Sequence, residues 1–277
     1  MRRTVTISLL LTCVATLAVA QDEMAQFVRF SYQDRVSYGI VDGTQIRVID
    51  GDLFGEHRLT DETVSWEGVR LLAPVVPSKV IAIGLNYRSH IGERPIPEYP
   101  GMFAKYPTSI IGPDEGIVMP PDAQSLHYEG ELVLVIGKMA KNVSVDDALD
   151  YVFGVTAGND VSERTWQRDD LQWLRAKGSD TFGPIGPVIT SGIDYDDLLV
   201  ETRLNGEVRQ SERTKDLIFG VADIVSYVSR YITLHPGDLI FTGTPGSTRA
   251  MEVGDVVEIE IEGVGILRNT IVAAGEN

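Results

Sequence analysis

Two glutamates two residues apart, Glu129 and Glu131, open one of the most apolar runs of the chain, HYEGELVLVI at 127–136. Side chains alternate faces along a strand, so both carboxylates point the same way, with Val133 and Val135 following on that face. His127 shares the face if the strand begins early enough. Like charges heading into a core repel each other and resist leaving water. An arginine, a solvated strand end or a divalent cation held between them would each compensate.

A third carboxylate follows a second apolar strand. In YVFGVTAGND (151–160), Asp160 lies just ahead of a helix-like SERTWQ. It either caps that helix through its side-chain oxygen or joins the two glutamates. Three carboxylates make an all-oxygen site, which suits Mg²⁺ or Mn²⁺ better than zinc. In GLNYRSHIGE (84–93), His90 and Glu93 stand three apart. On one helical turn the carboxylate can orient the imidazole and raise its basicity, although an incidental surface pair is the plainer reading of a lone HxxE. Lys177 precedes the glycine- and proline-rich loop of AKGSDTFGPIGP, which in isolation is a turn with a solvated lysine.

The elements that must position these groups are mostly strands. Residues 26–50 alternate apolar and polar side chains around Val41-Asp42-Gly43, as a β-meander does. Residues 51–77 are less regular and end in two prolines, a linker, which sets a small N-terminal β module at 24–75 before a main domain at 78–277. In the main domain short apolar strands alternate with glycine and proline turns, from KVIAIGLNY (79–87) to GDVVEIEIEGVGILRNTIV (254–272). Helical periodicity is confined to 144–152, with Ser144 as N-cap, to 162–172 and to 219–232. The expected fold is a β-rich α+β domain.

The opening MRRTVTISLLLTCVATLAVAQDEM has a basic start, a short apolar run and Ala18-Val19-Ala20, the layout of a signal peptide over 1–20. The run falls short of the roughly 20 apolar residues of a membrane span. Export to the periplasm or medium is the expectation. Without those residues the chain keeps 22 basic and 40 acidic side chains, a net charge of −18. Such a charge disfavours nucleic acid and anionic lipid as partners. The single cysteine, Cys13, lies in the leader, so disulfides and thiol chemistry are excluded from the mature chain.

Order and spacing carry more than any single block. GLNYxxHxxE, YExEL ahead of a Val/Ile run, GNDVSxRxWQ, KGxDTFGPIGP, PGDLIFTGTPxG and GDVVEIEIEGVGILRN together resemble the fumarylacetoacetate hydrolase family over about residues 70–272. The resemblance implies a mixed β-roll or β-sandwich catalytic domain, usually a homodimer. It implies one Mg²⁺ or Mn²⁺ on Glu129, Glu131 and Asp160, and an acid/base dyad of His90 and Glu93. By the same resemblance Lys177 stabilises an enolate, while Arg164, Gln167 and Thr244 face the substrate, with Tyr87 and Lys105 lining the pocket. The substrate implied is a small 2-oxo acid. The first expectation is C–C hydrolysis of an acylpyruvate- or fumarylpyruvate-type 1,3-dioxo acid. The alternatives are an isomerase or decarboxylase of hydroxymuconate-type diacids from aromatic catabolism or of oxaloacetate, or an exported binding protein without turnover. The chain departs from many relatives at Thr165, where they carry Asp, and in a shorter stretch after Thr244.

Overall fold

The computed structural model describes residues 24–275, so the expected leader lies outside the described residues. Strands occupy 45 % of the chain and helices 15 %, which makes the fold the β-rich α+β class expected. Two mixed sheets dominate. The larger has Gly130–Ile136 near its middle, flanked by Val152–Asn159 and Leu239–Phe241, with Val80–Gly84 and Gly101–Lys105 beyond. The smaller has five strands, including Leu199–Leu204, Val256–Ile261 and Gly265–Ala273.

Gly130–Ile136 is buried on both faces, which explains its unbroken apolar run. Leu132, Leu134 and Ile136 join a core with Val200, Val257 and Ile259 of the smaller sheet and with Ile224, Val225 and Val228 of the helix Val221–Tyr231. Val133 and Val135 join a second core with Val80, Leu239, Phe241 and Phe27. The strand is thus a wall between two cores, and its polar end is held rigidly.

The N-terminal strands Ala25–Tyr32, Arg35–Asp42, Gln45–Gly51 and His57–Ser65 form an antiparallel meander. Ala25–Tyr32 pairs in turn with Gly183–Ser191, so the small module extends the larger sheet rather than standing apart. The connecting segment 72–79 has no regular structure, and its end is clasped by Asp238. This fully buried carboxylate accepts hydrogen bonds from Ser78 N at 3.2 Å, Ser78 Oγ at 2.6 Å, Lys79 N at 3.1 Å and His235 N at 2.6 Å, and pairs with Lys79 Nζ.

Two expected helices are shorter than periodicity implied. Within 144–152 only a 3₁₀ turn, Ala148–Tyr151, forms, because Val152 at once enters the strand Val152–Asn159. Ser144 Oγ still accepts from Asp147 N at 3.2 Å. Within 162–172 the helix runs Arg164–Asp169. The third, Val221–Tyr231, lies within the expected 219–232. Among the described residues no helix is long and apolar enough to cross a membrane.

Candidate active site

The site forms where two adjacent strands end. Antiparallel pairing sets Gly130 opposite Asn159, and Asp160 N donates to Glu129 O at 2.8 Å, so Glu129 and Asp160 face each other across the pair. Glu131 follows on the same face as Glu129. One oxygen from each of the three carboxylates lies within 4.8 Å of the others, and all three residues are buried. The glycine between the glutamates is required by packing. A Cβ at Gly130 would fall 2.1 Å from Thr202 Oγ1, where the smaller sheet crosses. Hard oxygens converging in a buried pocket fit a divalent cation.

Asp160 does not cap the following helix. Glu163 does so, accepting from Trp166 N at 2.6 Å through one oxygen and from Gln124 N and Ser125 N at 3.0 and 2.6 Å through the other. That leaves the Asp160 carboxylate for the cage.

Three cations surround the triad. Lys177 Nζ donates to Glu129 Oε2 at 2.6 Å and Asp160 Oδ2 at 2.5 Å. Lys105 Nζ donates to Asp160 Oδ1 at 2.5 Å and to the Lys177 carbonyl. Arg164 Nη2 donates to Glu129 Oε1 at 2.5 Å, and its Nη1 to Gln167 Oε1 at 2.7 Å. Glu131 is served differently: among the described residues its carboxylate accepts only Gly243 N, at 2.7 Å. The electrostatics divide accordingly. Burial opposes charge on Glu129, yet Lys177, Arg164 and His90 outweigh it and hold its carboxyl well below the usual range. Burial, reinforced by the charges of Asp160 and Glu129, pushes Glu131 well above that range. Among the described residues Glu131 is the cage carboxylate with no directly paired cation.

His90 lies on the short helix Arg88–Ile91, with Nε2 3.9 Å from Glu129 Oε1. Its Nδ1 is 2.7 Å from Gly246 O. A carbonyl only accepts, so Nδ1 carries a proton there and Nε2 is the ring nitrogen left facing the cage to exchange one. Glu93 is not brought to it. The helix ends at Ile91, Gly92 turns the chain at φ 61°, and Glu93 is exposed with no hydrogen bond to His90. The expected one-turn pairing fails because the turn stops two residues short of Glu93.

The other expected residues divide between facing the site and supporting it. Arg164 is partly exposed and reaches the cage, and Gln167 orients it. Thr244 lies behind, its hydroxyl donating to Gly130 O at 2.9 Å and accepting from Gln210 Nε2 at 2.8 Å. Lys105 is buried beneath Asp160. Tyr87 is buried with no partner for its hydroxyl among the described residues, and burial, then Glu131, raises its pKa. His127 stays out of the cage. It contacts Ser125 Oγ and Thr248 Oγ1, both at 2.9 Å, and burial followed by the Arg164 charge pushes its pKa down to about 4.

Sequence reasoning missed Glu163, Gln210, Asn86 and Thr248. Asn86 ties the site loop down, donating to Thr242 O at 2.8 Å and Phe219 O at 3.1 Å and accepting from Phe219 N at 2.8 Å. The polar, otherwise unexplained N of GLNY was the available signal. No local pattern marks Gln210 and Thr248, whose partners are distant in sequence, whereas Glu163 caps a helix through Trp166 N only three residues on.

The model of the fumarylacetoacetate hydrolase C-terminal domain matches residues 79–272, most of the chain and all of the cage. The chain belongs to the fumarylacetoacetate hydrolase family. An N-terminal model named for Rv2993c-like proteins matches residues 25–74. Protein Rv2993c of Mycobacterium tuberculosis is 43 % identical over 261 residues, covering 90 % of this chain and 98 % of that protein. The human mitochondrial oxaloacetate tautomerase FAHD2B is 40 % identical over 222 residues, 75 % of this chain and 71 % of that one. The crystal structure of 2-hydroxyhepta-2,4-diene-1,7-dioate isomerase from Mycobacterium marinum superposes with a TM-score of 0.85 at 41 % identity. It covers 91 % of this chain and 100 % of that one. Family members are hydrolases and isomerases that commonly bind a divalent metal, and the Glu129, Glu131 and Asp160 triad fits that habit.

Proposed function

We propose that the protein is a Mg²⁺- or Mn²⁺-dependent isomerase that shifts a proton between carbon and oxygen in a small 2-oxo diacid, interconverting keto and enol forms. The observation that carries this reading is His90. Its Nδ1–H is fixed on Gly246 O, its Nε2 faces Glu129, and Glu93 is turned away. One positioned base beside a cation site suffices to move a proton, whereas hydrolysis also needs an activated water. A divalent cation on the triad supplies Lewis-acid stabilisation of negative charge on substrate oxygens. The chain itself supplies the rest. Lys177 and Arg164 bring positive charge to the same face, and His90 Nε2 takes the proton and returns it at the neighbouring atom. The tautomerase and isomerase names of two relatives at 40 and 41 % identity support this choice.

C–C hydrolysis of an acylpyruvate is the second reading. It is favoured by one feature: Glu93 lies three residues from His90 in an exposed stretch, just beyond Gly92, so no packing fixes its carboxylate away from the imidazole. Export and a homodimer belong to the same proposal, supported by the layout of residues 1–20 and by the family resemblance. The deciding experiment incubates purified protein and Mn²⁺ with enol oxaloacetate, a hydroxymuconate diacid and an acylpyruvate, and follows products by NMR. Keto–enol or double-bond isomers without cleavage are expected. Cleavage of acylpyruvate as the faster reaction would overturn the isomerase in favour of the hydrolase.

A further inference from the structure

The segment Gly246–Thr248 touches the site twice, at alternate residues. Gly246 accepts from His90 Nδ1 at 2.7 Å, and its own N–H donates to Ser89 Oγ at 2.9 Å. Two residues on, Thr248 Oγ1 accepts from Arg164 Nη2 at 2.9 Å. The two side chains held in this way converge on one atom, Glu129 Oε1, with His90 Nε2 at 3.9 Å and Arg164 Nη2 at 2.5 Å. A strap of three residues therefore sets the spacing between the imidazole and the guanidinium.

Both ends of the strap are pinned. Before it, Pro245 O accepts from Gln210 Nε2 at 2.5 Å. After it, Ala250 bridges to His127 and Met251 N donates to Leu126 O at 2.7 Å. His127 also stands behind Thr248, its Nδ1 2.9 Å from the hydroxyl and its Nε2 2.9 Å from Ser125 Oγ. Arg164 is otherwise a long side chain with a flexible stem. A planar guanidinium held by one charged contact can swing about it, whereas one held at Glu129, Gln167 and Thr248 has a single orientation. These three bonds leave about two of its five N–H donors for a ligand.

We infer that Thr248 is a positioning residue. Its hydroxyl fixes the plane of the Arg164 guanidinium relative to His90, and His127 holds that hydroxyl from behind. The inference rests on the 2-oxo acid reading of the site, in which the free Arg164 donors meet a substrate carboxylate.

Thr248→Val removes the hydroxyl and keeps the shape, and Thr248→Ser restores it. Binding of oxalate, a planar dianion that cannot react, is measured calorimetrically on the Mn²⁺-loaded protein, alongside Mn²⁺ affinity and the kcat and KM for oxaloacetate tautomerisation. In the Val variant oxalate affinity should fall and KM should rise about tenfold, the loss of one oriented charged contact. Mn²⁺ affinity and kcat should stay within about threefold, and the Ser variant should return to within about threefold of wild type. Unchanged oxalate affinity and KM in the Val variant would overturn the inference, as would equal losses in Val and Ser, which would indicate packing rather than the hydroxyl. Wild-type protein that binds no oxalate would overturn the 2-oxo acid reading, and this inference with it.

Discussion

Lys177 Nζ stands 2.6 Å from Glu129 Oε2 and 2.5 Å from Asp160 Oδ2, so a single ammonium spans two of the three cage carboxylates. Burial works against its charge, but Asp160 and Glu129 prevail and raise its pKa. No lysine or arginine pairs with Glu131 among the described residues. The cage is therefore balanced along one side and short of positive charge at the other, and that asymmetry dictates how each carboxylate responds to substitution.

Glu131→Gln should abolish metal binding without unfolding the protein. The folded pKa of Glu131 lies above its ordinary 4.5, so the folded metal-free state binds this proton more tightly than the unfolded state. The resulting stability is complete below about 4.5 and is lost as pH rises toward the folded value. In EDTA, wild-type unfolding free energy should decline as pH rises above about 4.5, and the Gln variant should lack that decline. Mg²⁺ at about one hundred times its Kd should stabilise wild type by about 2.7 kcal/mol and the variant not at all. Urea titrations with and without metal check both points. A variant still stabilised by Mg²⁺ would remove Glu131 from the ligand set.

His90→Gln should lower isomerisation about 10²–10⁴-fold, the usual worth of a positioned general base, while Mn²⁺ affinity changes by less than about threefold. Glu93→Gln separates the two functional readings. Its isomerisation rate should stay within about threefold of wild type, because no contact joins Glu93 to His90. A loss in Glu93→Gln as large as that in His90→Gln would show that the pair operates together and would favour hydrolysis. Steady-state rates on oxaloacetate and an acylpyruvate supply the comparison.

The legible part of this site was what local spacing encodes. Alternation along one strand put Glu129 and Glu131 on a common face, and an apolar strand ending in Asp160 supplied the third carboxylate. The failures came from tertiary choices. Asp160 and Glu163 are both acidic residues ahead of the same helix, and only the packing of residues 124–125 against Glu163 decides which one caps. His90 and Glu93 have helical spacing, but the positive φ of Gly92 ends the helix between them. Thr248 and Gln210 were invisible because their partners lie 84 and 34 residues away. The N-terminal meander was readable from alternation, yet its pairing with Gly183–Ser191 rests on exposed strand edges that no periodicity reports.

Lys105→Met should damage the cage from below. The ammonium is buried between Asp160 Oδ1 and the Lys177 carbonyl, and burial lowers its pKa despite the Asp160 charge. Methionine fills the space but leaves one side of Asp160 uncompensated. Breaking a buried pair by removing one partner costs about 3–5 kcal/mol. Metal-free Lys105→Met should lose stability on that scale, and Mn²⁺ should recover much of it because a cation then meets the excess carboxylate charge. Calorimetric unfolding with and without Mn²⁺ tests this. A variant as stable as wild type in EDTA would mean that Lys105 contributes no net electrostatic support.

Asp238→Asn should weaken the whole fold while leaving the chemistry intact. Oδ1 accepts from Ser78 N, Ser78 Oγ and Lys79 N, and Oδ2 from His235 N and Lys79 Nζ. Asparagine can keep the first oxygen but sets an NH₂ against the donors at the second. One buried N–H and one ammonium then lose their acceptor, at about 1–3 kcal/mol for a buried group, discounted for Lys79 because it is partly exposed. A net loss of about 2–4 kcal/mol is expected from urea unfolding. Because the clasp lies at the opposite end of the strand Gly130–Ile136 from the cage, where Ile136 N donates to Asp238 O at 3.0 Å, Mn²⁺ affinity and KM should match wild type. A stability loss accompanied by a change in Mn²⁺ affinity would show instead that the Asp238 clasp and the carboxylate cage are coupled through the strands Val80–Gly84 and Leu239–Phe241.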